Sequence, residues 1–114
     1  MNSSELIVIK NNVMAAADDF TRVQSVTMNF QKEANFAIQA MQKNNFLADT
    51  ALKNPQSLKN AVVNVAAIGI SLNPALKLAY LVPRNQDVSL DISYMGLAQL
   101  ATDSGSVLWV QAEI

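Results

Sequence analysis

Between residues 78 and 93 the apolar spacing changes from three- and four-residue steps to two, and this restricts the fold more tightly than any other feature. Just before it, Asn73-Pro74 makes a non-helical start, because proline fixes its own φ and pushes the preceding residue away from the α region. In the first extended run Leu78, Tyr80 and Val82 point one way and Ala79 and Leu81 the other. Pro83 and the polar stretch Arg84-Asn85-Gln86-Asp87 then interrupt the pattern. The second run alternates cleanly, with Val88, Leu90 and Ile92 on one face and Ser89, Asp91 and Ser93 on the other. This predicts a hairpin with one dry and one wet face, followed by a helix over about residues 94–102.

The chain upstream reads as helices. Over residues 5–20, Leu6, Ile9, Val13, Ala17 and Phe20 recur at helical spacing and predict one helix, capped by Ser3 or Ser4, with Asp18-Asp19 at its C-terminal end. A second helix is expected over residues 25–45, burying Val26, Phe30, Ala34, Ala37 or Ile38, and Met41, while Gln31, Lys32, Glu33 and Lys43 face water. Residues 46–52 can add one further turn. At Asn54-Pro55 a strong N-cap precedes a residue suited to the first helical position, so a third helix starts there. Its stripe is Leu58, Ala61, Val62, Val65, Ala66 and Ile68, and Gly69 can end it in the left-handed conformation. A last alternating stretch, residues 107–114, predicts a strand that joins the hairpin. The expected fold class is α+β: N-terminal helices packed on a small antiparallel sheet of hairpin, helix and further strand.

Composition narrows the chemistry. In 114 residues there is room for one domain, read as a helical part over 1–69 and a hairpin-helix-strand part over 70–114, and 51% apolar residues suffice for a core. The longest apolar run, residues 61–70, is far short of the roughly 18 residues of a membrane span. The N-terminus lacks the basic region of a signal peptide, so a cytoplasmic protein is expected. With no cysteine and no histidine, thiol chemistry, the commonest zinc ligand and the commonest general base are all missing. No serine is paired with a base, and no Walker-type phosphate loop is present. Catalysis by this segment is not expected.

Ile70-Ser71-Leu72-Asn73-Pro74-Ala75-Leu76, Ala79-Tyr80-Leu81-Val82-Pro83, Tyr94, Gly96-Leu97 and Leu100-Ala101 together resemble the signature of the RecT-type phage recombinases, the single-strand annealing proteins. The resemblance is densest over residues 67–105. Two departures stand out: Lys77-Leu78 where the family commonly has Gly-His, and Met95 where it has arginine between Tyr94 and Gly96. No DNA contact is therefore carried over to position 95. The resemblance implies ATP-independent binding and annealing of single-stranded DNA in homologous recombination, by a protein that assembles with itself into a ring or filament. It also implies a 5′-to-3′ exonuclease and a host single-strand-binding protein as partners, and the cytoplasm of a bacterial or phage-infected cell. A chain that ends on an alternating pattern without turn or cap is read as the N-terminal part of a larger annealing domain. That reading bears on charge, because eight basic and nine acidic residues give a net charge of −1 and nucleic-acid-binding domains usually carry a basic excess. In the family much of that basic surface lies further along than residue 114.

The candidate DNA-binding residues are Lys77, Arg84 and Lys59 as phosphate partners, and Tyr94 and Trp109 as stacking surfaces. Tyr80 shares a face with Leu78 and Val82, so burial in the core is its expected role. Asp87 and Asp91 lie with Ser89 and Ser93 on the wet face. Magnesium is compatible with such a pair, but solvated strand polarity is the better reading and no metal site or other cofactor is assigned. The alternative function is a helical oligomerisation module that does not itself bind DNA. A metal-dependent nuclease is disfavoured by the sparse carboxylates.

Overall fold

The side chain that opens the first helix is that of Asn2: it accepts from the Glu5 N–H at 2.8 Å, while the Asn2 N–H donates to the Glu5 carboxylate at 3.0 Å. This reciprocal capping box, rather than Ser3 or Ser4, satisfies the orphan donors of the first turn. The structure, a computed structural model, describes residues 1–24 and 27–104. The described elements, in order, are α1 (Ser3–Met14), α2 (Ala17–Val23), α3 (Phe30–Lys43), α4 (Asn45–Lys53), α5 (Pro55–Ile68), β1 (Ala79–Arg84), β2 (Asp87–Ile92) and α6 (Tyr94–Ser104). The architecture is α+β, with helices packed on a two-stranded antiparallel sheet among the described residues. The expected strand over 107–114 lies outside them.

Several expectations for the helices are corrected. The helix expected over 5–20 is two helices that turn at Ala15 and Ala16, which lets both Val13 and Phe20 enter the core. Asp18 and Asp19 consequently sit in the first turn of α2, where the helix dipole favours anions, and not at a C-terminus. The second helix begins at Phe30 instead of residue 25, because Asn29 is extended and its side chain caps the Lys32 N–H at 3.1 Å. Val26 lies outside the described residues. Glu33, expected in water, is only 6% exposed. Its carboxylate accepts from the Leu72 N–H at 2.7 Å and the Ser71 hydroxyl at 2.8 Å, and so satisfies the backbone that leaves α5.

Helix α5 is the centre of the packing and touches α1, α2, α3, α4 and β2. Its buried apolar side chains are Leu58, Ala61, Val62, Val65 and Ala66, and Ile68, expected in the same stripe, is exposed. The left-handed Gly69, at φ 79°, ends the helix as its sequence position requires. Phe20 and Phe30 meet edge to face with ring centres 5.1 Å apart, and join α2 to the start of α3. No described helix is long and apolar enough to cross a membrane.

Candidate nucleic-acid interface

The hairpin is held at both ends. At its tip a two-residue loop, Asn85-Gln86, connects the paired residues Arg84 and Asp87. Both loop residues have positive φ, 52° and 67°, the mark of a type I′ turn that matches the twist of the strands. Asn54, which caps α5 by accepting from the Ser57 N–H at 3.2 Å, also donates to the Asp87 carboxylate at 2.6 Å. Ser57 donates to the Asn54 carbonyl at 2.8 Å and accepts from the Val88 N–H at 2.9 Å. The α4–α5 corner and the hairpin tip are thus one hydrogen-bonded unit.

At the base of the hairpin the organiser is Ser93. Its hydroxyl accepts from the Gly96 N–H at 3.0 Å, which caps α6. The hydroxyl proton is aimed at the Lys77 and Leu78 carbonyls, 2.7 and 3.0 Å away. Lys77 has φ 55°, a left-handed conformation that favours glycine. The position where the resembled family carries glycine therefore has a backbone reason to do so. Gly96 is explained as well: a Cβ there would meet the Leu78 carbonyl oxygen at 2.2 Å and methyl carbons of Ile70 and Ile92 at 2.8 Å. Helix α6 can lie on the hairpin only because residue 96 has no side chain.

The faces of the hairpin follow the expected alternation, but the burial of β1 is inverted. Ala79 and Leu81 are buried with Val88 against the helices. Tyr80, expected in the core, is 42% exposed on the outer face, opposite Asp91. The reason is the register, in which Leu81 pairs with Leu90 and Ala79 with Ile92, so the small and branched residues form the inner face.

The candidate site residues do not converge. Lys77 and Tyr94 are brought together at the hairpin base by Ser93, and Tyr94 is 63% exposed at the start of α6. Arg84 is at the opposite end of β1, 59% exposed, with its guanidinium 3.9 Å from the Asp91 carboxylate. Lys59 is on α5, 3.3 Å from Asp19, which also pairs with Arg22. Trp109 lies outside the described residues. Asp87 and Asp91 are committed to Asn54 and Arg84, and among the described residues no three acidic side chains gather as a metal site would require.

Sequence reasoning missed a groove of about 560 Å³ between α5 and β2. One wall is an amide ladder, Gln56, Asn60 and Asn64, and Arg84 and Ser89 stand opposite. The four-residue spacing of the three amides on a predicted helix was the available signal.

The helical layer thus carries a hairpin with Lys77 two residues before its first strand and Arg84 at that strand's end. The family model described as RecT family matches residues 31–114, and the chain belongs to that family. RecT proteins are annealing proteins rather than catalysts, and the role of the chain lies in single-strand annealing recombination. Comparison with curated proteins gave no match, and neither did comparison with solved structures.

Proposed function

We propose that this chain is the part of an ATP-independent annealing protein that lays single-stranded DNA along its hairpin and works as an oligomer. The observation that carries the reading is the placement of two exposed cations, Lys77 just before β1 and Arg84 at its last position, in a RecT-family chain. Extended strand rises about 3.3 Å per residue, so the seven steps between them span up to about 23 Å, a track for a sugar-phosphate backbone. Phosphate contacts of this kind carry no base information, which suits a protein that must accept any sequence. Lys59, held by Asp19, is a weaker contributor than either hairpin cation. An outward apolar strip on α1, made by Ile7, Val8 and Met14, supports self-association.

The test is the salt dependence of oligonucleotide affinity in the full-length protein. Lys77→Ala and Arg84→Ala should each flatten the slope of log affinity against log salt by about 0.7, the single-strand value per phosphate. Lys32→Ala, on the exposed side of α3, serves as the control and should leave the slope unchanged. An unchanged slope in both hairpin variants would contradict the hairpin track and favour the second reading, an oligomerisation module that pairs through α1.

A further inference from the structure

Between α3 and β1 lies a cavity of about 170 Å³, open on one side. Its apolar walls are Phe36, Ala40, Leu72 and Pro74, its mouth carries Tyr80 and Lys43, and no carboxylate lines it. Among the described residues β2 is the one strand that pairs with β1, and the turn sets which residues of β1 face its other edge. In a hairpin closed by two residues the flanking pair, Arg84 and Asp87, exchanges hydrogen bonds, and the bonded pairs then alternate. Val82–Ser89, Tyr80–Asp91 and Leu78–Ser93 belong to the bonded set, and the Ser93 N–H does donate to the Leu78 carbonyl at 2.9 Å. Ala79 and Leu81 therefore turn their N–H and C=O groups to the outer edge of β1, where both residues line the cavity. At the equivalent edge of β2, Val88 is already engaged by Ser57.

We propose that this cavity receives one unstacked base of the single-stranded DNA that runs along β1, an inference that rests on the function proposed above. Each part has a matching group. The volume suits a single flat ring system, and Phe36 and Tyr80 offer aromatic surface to it. Amide and carbonyl groups of the β1 edge can bond any base edge, because they present donors and acceptors together. Lys43 at the mouth, with Lys77 before the strand and Arg84 at its last position, makes the surroundings cationic, which selects a polyanion over an uncharged peptide. A pocket that grips one base without reading it would hold the strand in register while neighbouring bases stay free to pair.

The experiment compares short oligothymidylate with an abasic oligonucleotide of the same length and charge, bound by the full-length protein at several salt concentrations. The base-bearing strand should bind about tenfold more tightly, within the range for one stacked base. Ala40→Leu, which fills the cavity, and Tyr80→Ala, which removes an exposed ring, should both abolish that preference and leave the salt slope and the abasic affinity unchanged. Tyr80→Ala guards against a fold defect in the cavity-filling variant, because Tyr80 lines the cavity yet is 42% exposed and lies outside the buried core. Equal binding of both oligonucleotides by the unmodified protein overturns the base pocket alone. No binding of either overturns the pocket and the proposed function together. If Ala40→Leu keeps the base preference but loses self-association, a side chain from a second copy fills the cavity, and the nucleobase assignment is wrong.

Discussion

Gly96→Ala sets two well-defined effects against each other. In the interior of a helix, replacing glycine by alanine ordinarily stabilises by about 1 kcal/mol, and Gly96, in the first turn of α6, gains at most that. Here the new methyl would lie 2.2 Å from the Leu78 carbonyl oxygen and 2.8 Å from methyl carbons of Ile70 and Ile92. Comfortable carbon contacts are about 3.5–4.0 Å, so α6 would have to retreat by roughly 1 Å from the hairpin. The methyls of Ile70 and Ile92 can give a little, but the Leu78 oxygen is backbone and also accepts from the Ser93 N–H at 2.9 Å. Retreat therefore strains the hydrogen bonds that fix the base of the hairpin. Overpacking of this kind costs about 1–3 kcal/mol, and the fixed carbonyl puts this case at the upper end. After the propensity gain, a net loss of about 2 kcal/mol remains, which for a domain of this size lowers Tm by about 8 °C. Thermal melts followed by far-ultraviolet circular dichroism measure it. An unchanged or higher Tm would refute the packing of α6 on Leu78.

Glu33→Ala should destabilise by about 2–3 kcal/mol in urea unfolding, because it strands the Leu72 N–H and the Ser71 hydroxyl on a largely buried segment. Glu33→Gln keeps an acceptor and should recover at least half of that loss. Lys77→Gly should raise stability by about 0.5–1 kcal/mol by relieving the left-handed backbone, a gain seen as a higher urea midpoint at unchanged m-value. The same substitution at the neighbouring Leu78 should lower the midpoint.

Local rules reached the elements whose causes are local. Asn54, Pro55 and Gly69 mark both ends of α5 because caps and left-handed turns depend on a few neighbouring residues. The hairpin was legible because a period of two has no helical counterpart. The turn between α1 and α2 was not, since Ala15 and Ala16 are strong helix formers and only the packing of Val13 and Phe20 into one core separates the helices. Glu33 escaped for a similar reason: its partners are 38 and 39 residues away. Parity gives the two faces of β1 but not which of them meets the helices, so the apolar neighbours Leu78 and Val82 point Tyr80 to the core although it is exposed. For the interface, the sequence marks the cations that bracket β1, Lys77 and Arg84, whereas the pairing of Arg84 with Asp91 and of Lys59 with Asp19 requires the register and the helix packing.

The most direct test of the account is strand annealing itself. Two complementary oligonucleotides, one with a fluorophore and one with a quencher, are mixed with the full-length protein in the absence of ATP. The account predicts that quenching proceeds faster than with the oligonucleotides alone, and that Lys77→Ala combined with Arg84→Ala slows it. A rate equal to the protein-free rate, or an acceleration that appears only when ATP is added, would contradict it.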